Sequence, residues 1–263
     1  MQETHKICKK YKVPLYFDAC RFAENAAFIK KFEPEYQQSS IKSIVKKMFQ
    51  FCDGGYVSAK KDGISNMGAV LFTRDEKLID KIKEKLVAVD GFYHYGGLCG
   101  RDLEAMTTGF LEAVDLDYLN HRLHQIQYLA DGLKKSRIPI IEPVGGHAVY
   151  IDIKKLFPKR LEFKLPAATF VIELFKRAGV RAMEFGSIMA AKLDPQTLEI
   201  LEVPDKEMVR LAIPRRVYTI AHLDYVIEAC ENVAKGVDEF SGYKIVSIPE
   251  NCRWANFKLK PLE

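Results

Sequence analysis

Ser58-Ala59-Lys60-Lys61-Asp62-Gly63 follows the run Gly54-Gly55-Tyr56-Val57, and Asp18-Ala19-Cys20-Arg21 follows Val13-Pro14-Leu15-Tyr16-Phe17. Each run reads as a buried strand, so each polar segment falls just beyond a strand's carboxyl end, where ligands collect in open α/β sheets. A lysine placed there can condense with the aldehyde of pyridoxal phosphate. An aspartate there can pair with the pyridinium nitrogen and keep that cofactor an electron sink. In this order the two segments look like half of a pyridoxal-phosphate site. Each residue also has a plainer reading: Lys60-Lys61 as a solvated turn, Asp18 as a helix cap, Arg21 as a partner of Glu24 at helical spacing, and Ser58 as a turn residue. A neutral attacking lysine is expected at Lys61, with burial beside the cation of Lys60 lowering its pKa.

Working outward, Thr4 to Tyr11 reads as a helix, Glu24 to Lys31 as a short one, and Ser40 to Phe51 as a longer one capped by Ser39 or Ser40. In the last, Lys42, Lys46 and Lys47 form a solvated face opposite Ile41, Ile44, Val45 and Phe49. Met67 to Thr73 predicts a further strand, and a charged amphipathic helix runs from Asp75 to about Val89. The glycine-rich loop Gly91 to Gly100 carries Phe92, Tyr93, His94 and Tyr95, which either line a pocket or pack in a core. Helix from Arg101 to about Ser136 is expected to break near Asp115. The rhythm then changes, which places one domain at 1–115 and a small α+β domain at 116–263. In the latter, Gly146 to Ile153, Val180 to Phe185, Val209 to Ile213 and Arg253 to Leu259 read as strands. Ala167 to Ala178 and Thr219 to Val237 read as helices, and Asp194 to Asp205 as an exposed loop.

The 263 residues are long enough for a large core; 48% are hydrophobic and 29% charged, which excludes a disordered chain. A net charge of +5 with no basic stripe between aromatics argues against nucleic acid as a partner. No apolar run reaches membrane-spanning length and the N-terminus lacks a signal-peptide core, so a cytoplasmic protein is expected. The six cysteines form no CxxC pair, which excludes the usual zinc spacing and makes a disulfide framework improbable.

In Leu211-Ala212-Ile213-Pro214-Arg215-Arg216-Val217-Tyr218, Arg215 follows a strand, and a guanidinium there can grip an α-carboxylate with two parallel hydrogen bonds. It can equally be a surface arginine. Gly145-Gly146-His147 precedes a strand, and His147 reads as structural.

Together these segments resemble the C-terminal portion of the tryptophanase and tyrosine phenol-lyase family of aromatic amino-acid β-eliminating lyases. The resemblance rests on Asp18-Ala19-Cys20-Arg21-Phe22-Ala23-Glu24-Asn25-Ala26, Ser58-Ala59-Lys60-Lys61-Asp62 and Tyr95 through Met106. It continues in Glu142 through Val149, in Gly179-Val180-Arg181-Ala182-Met183-Glu184, and in Leu211 through Thr219. It implies a fold-type I, pyridoxal-phosphate-dependent enzyme resembling aspartate aminotransferase, with Lys61 bearing the cofactor and serving as base. Asp18 would face the ring nitrogen, Arg21 the phenolic oxygen and Ser58 the phosphate. Arg215 would hold the substrate carboxylate. The Asn66 carbonyl would be one ligand of a monovalent cation, usually potassium. A tetramer or other homo-oligomer is implied, as is an amino-acid substrate cleaved to pyruvate and ammonia.

The tyrosine branch of this family carries an arginine where this chain has Phe185, which argues against tyrosine and leaves tryptophan as the expected substrate. The tryptophan branch carries a histidine where Trp254 follows Arg253, so a pocket walled by Phe185 and Trp254 could instead suit a cysteine derivative. The family's N-terminal segments supply the main phosphate loop, the aromatic that stacks on the cofactor and a tyrosine from a neighbouring subunit; none has a counterpart here. Little activity is therefore expected of this chain without a separate N-terminal portion. A non-catalytic subunit or paralogue is the alternative.

Overall fold

A computed structural model describes residues 1–157, 161–162, 164–249 and 257–262. The chain divides into two units, Met1–Leu123 and His124–Glu263.

The first unit opens with α1 (Gln2–Tyr11), β1 (Tyr16–Asp18), α2 (Phe22–Phe32) and α3 (Ile41–Gln50). It continues with β2 (Gly54–Ser58), β3 (Ala69–Thr73), α4 (Glu76–Val89) and α5 (Gly100–Glu112). Helix α3 forms because Ile41, Ile44 and Met48 recur on one face and the Ser40 hydroxyl accepts the Ser43 N–H at 3.2 Å. That face packs with Phe22, Ala23, Ala26 and Ala27 of α2 and with Val57 of β2. The sheet runs β1-β2-β3, with β1 parallel and β3 antiparallel to β2. Gly54 is required opposite Tyr16, since a Cβ there would fall within 2.8 Å of two atoms of the tyrosine ring.

Two expectations need correction. Residues 13–17 do not make a buried strand: β1 is three residues long, with Tyr16 and Asp18 exposed and Phe17 half-buried. Among the described residues it is the edge strand of its sheet, paired with β2 alone. Likewise β3 is apolar yet exposed at Ala69, Val70 and Leu71.

Helix α6 (Leu116–Lys135) carries the division between the units. The second unit then runs β4 (Ala148–Asp152), α7 (Ile153–Leu156), α8 (Pro166–Ala178), β5 (Met183–Phe185) and α9 (Ser187–Ala190). After it come β6 (Lys192–Leu193), β7 (Ile200–Glu202), β8 (Met208–Ala212), α10 (Ile220–Lys235), β9 (Tyr243–Ser247) and β10 (Lys258–Pro261). The main sheet is antiparallel in the order β4-β8-β5. Strand alternation sends Val149, Ile151, Val209 and Leu211 into one core with Ile126, Leu129 and Leu133 of α6, Phe170 and Leu174 of α8, and Leu223 and Val233 of α10. Tyr150 and Arg210 therefore project from the opposite face. The segment 194–205 is not simply an exposed loop, because Ile200–Glu202 pairs with Lys192–Leu193. Strand β10 begins at Lys258; Arg253, the expected start of this strand, lies outside the described residues, as does Trp254.

Candidate functional site

In the first unit, four sequence-predicted residues come together where β1 and β2 end. The Ala19 N–H reaches the Tyr56 carbonyl at 2.9 Å, holding the two strand ends side by side. Cys20, 2% exposed, is the junction. Its N–H donates to Asp18 Oδ1 at 3.1 Å, its Sγ accepts the Ser58 N–H at 3.2 Å, and its carbonyl accepts the Asp62 N–H at 3.2 Å. The Cys20 thiol above all, then the Tyr56 hydroxyl, the Cys20 N–H and the Lys61 charge, hold the Asp18 carboxyl below its ordinary value against an opposing contribution from burial. Asp18 is thus an exposed carboxylate kept charged by its surroundings.

Lys61 stands on a tight turn: its N–H donates to the Ser58 carbonyl at 3.1 Å and its carbonyl accepts the Ile64 N–H at 3.0 Å. Lys61 is half-buried and Lys60 exposed, so the Lys60 side chain stays in water. The turn is strained, because Ile64, a β-branched residue, adopts φ 49°. A conformation of that kind costs on the order of 1–2 kcal/mol and persists only where neighbours enforce it. One neighbour is Asp62, 2% exposed, whose Oδ2 accepts the Ala23 N–H at 2.7 Å and the Glu24 N–H at 3.3 Å in the first turn of α2. Asp62→Ala is expected to lower stability by about 2–3 kcal/mol, read as the midpoint of urea unfolding, because two N–H groups of that turn lose their acceptor.

Arg21 does not pair with Glu24. Glu24 accepts instead from Arg122 Nε at 3.2 Å in a buried ion pair. The Arg21 Nε is buried and has no hydrogen-bond partner among the described residues. The cluster therefore presents an amine, a carboxylate, a serine and an unmet guanidinium donor. Asn66 is exposed just past the strained turn. No group of three His, Cys, Asp or Glu among the described residues could hold a metal ion.

The second unit positions Arg215 and Phe185. Arg215 lies three residues beyond the end of β8, half-buried, and Arg216 after it adopts φ 56°. The Ile213 N–H donates to the His147 carbonyl at 3.1 Å, fixing the start of that connection. Phe185 is half-buried at the end of β5, edge-on to Tyr150 with ring centroids 6.0 Å apart and under the Arg210 guanidinium at 5.1 Å. The turn after it is fixed by Glu207, whose buried carboxylate accepts the Ser187 hydroxyl at 2.8 Å and the Ala167 N–H at 3.2 Å. Burial pushes that carboxyl above its ordinary value. Gly186 is needed beside it, since a Cβ would collide with the Glu207 carboxylate.

Sequence reasoning missed Cys20, Asp62, Tyr150 and Arg210. For Arg210 a signal existed: in Met208-Val209-Arg210-Leu211-Ala212 a lone charge alternates with apolar residues, which marks the outer face of a strand.

A family described as beta-eliminating lyase matches residues 1–229. Among curated proteins, a tryptophanase of Salinibacter ruber is 45% identical over 97% of this chain and 54% of its own length. A tyrosine phenol-lyase of Pasteurella multocida is 41% identical over 99% of this chain and 57% of its own. A probable tryptophanase of Aeropyrum pernix is 37% identical over 100% and 56%. The chain thus spans about half the length of the curated relatives it matches. Among solved structures, a serine palmitoyltransferase from S. paucimobilis with bound PLP is similar over 91% of this chain and 52% of that one. Its TM-score is 0.54 at 13% identity. At that identity the likeness speaks for the fold alone, and the fold is the fold-type I α/β architecture.

Proposed function

The chain belongs to the beta-eliminating lyase family, and from that premise we propose that it carries the cofactor-bearing lysine and carboxylate-binding arginine of a carbon-carbon lyase for aromatic amino acids. The observation that carries the proposal is the buried, unmet Nε–H of Arg21, three residues from a carboxylate held charged at Asp18. A ligand with a cationic ring nitrogen and an anionic ring oxygen satisfies both, and pyridoxal phosphate is such a ligand. When bound, it supplies a sink for the electron pair released at the substrate's Cα.

The chain's own residues do the rest. Asp18 would keep the ring nitrogen protonated through a charge-assisted hydrogen bond. Arg21 donates to the ring oxygen and Ser58 to the phosphate. Lys61, on its strained turn, would hold the cofactor, and as a free amine would take the proton from the substrate's Cα. Arg215 fixes the substrate carboxylate. The Asn66 carbonyl supplies one ligand to a monovalent cation, potassium by the family's habit. The products are pyruvate, ammonia and the aromatic leaving group, and the assembly is a homo-oligomer.

Phe185 offers a leaving-group ring an apolar face and no donor of its own, which favours tryptophan over tyrosine at this residue. The test is pyruvate release from tryptophan, tyrosine and S-methylcysteine. The chain is assayed with the half of the S. ruber relative that it does not match supplied as a second polypeptide. Release from tryptophan is expected. Release from S-methylcysteine alone would shift the substrate class, and release from none of the three would refute the lyase proposal in favour of a non-catalytic subunit.

A further inference from the structure

Cys20 sits where the ends of β1 and β2 meet, and its side chain does what its backbone cannot. The backbone N–H closes a turn onto Asp18 Oδ1 at 3.1 Å, and the carbonyl accepts the Asp62 N–H at 3.2 Å. Any residue but proline could make those bonds. The sulfur adds a bridge: it accepts the Ser58 N–H at 3.2 Å, while the thiol donates to the Asp18 carboxylate. A buried atom, in a residue only 2% exposed, thus joins the last residue of β1 to the last residue of β2. A thiol can do this because its sulfur accepts weakly while its proton is given elsewhere. Alanine could do neither.

Asp18 needs such a tether. It is exposed at the end of a three-residue strand, and a carboxylate held by one hydrogen bond can still turn about that bond. A second donor fixes its plane. Tyr56, the partner of Asp18 across β1 and β2, offers its hydroxyl, but Tyr56 is exposed and water competes with it. The Lys61 charge attracts the carboxylate without orienting it. The buried thiol is the donor that water does not replace. We propose that Cys20 is a positioning residue, whose thiol holds the Asp18 carboxylate in line with the cofactor's ring nitrogen and ties it to the strand end that presents Ser58 and Lys61. The ring nitrogen comes from the lyase reading; the tether stands without it. Hydrogen bonds weaken steeply out of line, so a carboxylate free to turn would grip that nitrogen less well.

The test follows the Asp18 carboxyl by ¹³C NMR through an acid titration of the full chain without cofactor, and of its Cys20→Ala and Cys20→Ser variants. A donor to the carboxylate favours the charged form, so its loss is expected to raise the Asp18 midpoint toward the ordinary aspartate range. Serine keeps a donor, and with it the low midpoint. Pyridoxal-phosphate affinity of the same samples is then read by fluorescence at neutral pH. It is expected to fall about threefold to tenfold in Cys20→Ala and by less than about twofold in Cys20→Ser. Asp18 is charged in every sample at that pH, so the loss reports the carboxylate's position and not its charge. An unmoved midpoint in Cys20→Ala, or equal losses of affinity in both variants, would overturn the proposal. Pyridoxal-phosphate binding with an unmoved midpoint would leave the lyase reading standing and sink this one. A raised midpoint in Cys20→Ala, with no cofactor bound by any sample, would uphold the tether and count against the lyase reading.

Discussion

Lys61→Ala is expected to reduce pyruvate release by at least about 10³-fold, equivalent to ~4 kcal/mol of barrier. On the proposed assignment two losses combine: the amine that would hold the cofactor and the base that would take the Cα proton. Neighbouring Lys60 cannot substitute. It is exposed, and the turn that presents Lys61 is tied down by the Lys61 N–H to the Ser58 carbonyl and by the Asp62 contacts to α2. Lys60→Ala is therefore expected to stay within about threefold of the unaltered chain, in line with an exposed substitution that removes no buried contact. Assaying the two variants in parallel locates the chemistry on one side chain of the pair; equal losses would contradict the assignment.

Gly109→Ala is the second large effect, and it acts from outside the site. A methyl group at this position in α5 would land on the carbonyl oxygen of Gly63, in the turn that follows Lys61. Gly63 is itself pressed against Ala59, where a Cβ would meet the Ala59 Cα at 2.7 Å. The turn is therefore wedged between α5 and β2 and cannot simply recede. Alanine normally favours a helix over glycine by about 1 kcal/mol, so an ordinary exposed site would gain stability. Here overpacking outweighs that gain, and a net loss of about 1–3 kcal/mol is expected in urea unfolding, with weaker pyridoxal-phosphate binding alongside it. A stabilised variant with unchanged cofactor affinity would show that the contact between α5 and the turn does not hold Lys61 in place.

Much of the fold was legible wherever one local signal decided it. The spacing of Ile41, Ile44 and Met48 and the Ser40 cap specify α3 without help from the rest of the chain. The break near Asp115 is equally local: Asp115 Oδ1 accepts the Tyr118 N–H at 2.8 Å and starts α6. What was not legible depended on partners distant in sequence. The apolar content of residues 13–17 and 67–73 predicts strands, but whether a strand's faces are covered depends on what packs on the sheet. The hairpin of β6 and β7 sits in a segment rich in proline and charge, where pairing over two or three residues leaves almost no periodicity to read.

The candidate site divides along the same line. Lys61, Asp18, Arg21 and Ser58 stand out because residue type and position at strand ends suffice to nominate them. Asp62 and Cys20 do not, because their roles consist of hydrogen bonds to backbone groups 38 or more residues away, or to a neighbouring strand end, which spacing alone does not show. Arg210 required the register of three strands before its stacking on Phe185 became visible.

The most direct test of the central claim is the absorbance spectrum of the purified chain with pyridoxal phosphate, recorded beside that of the Lys61→Ala variant. The account predicts a protonated internal-cofactor band in the visible range that is present in the unaltered chain and absent from the variant. A band of equal strength in both, arising at another lysine, would contradict it.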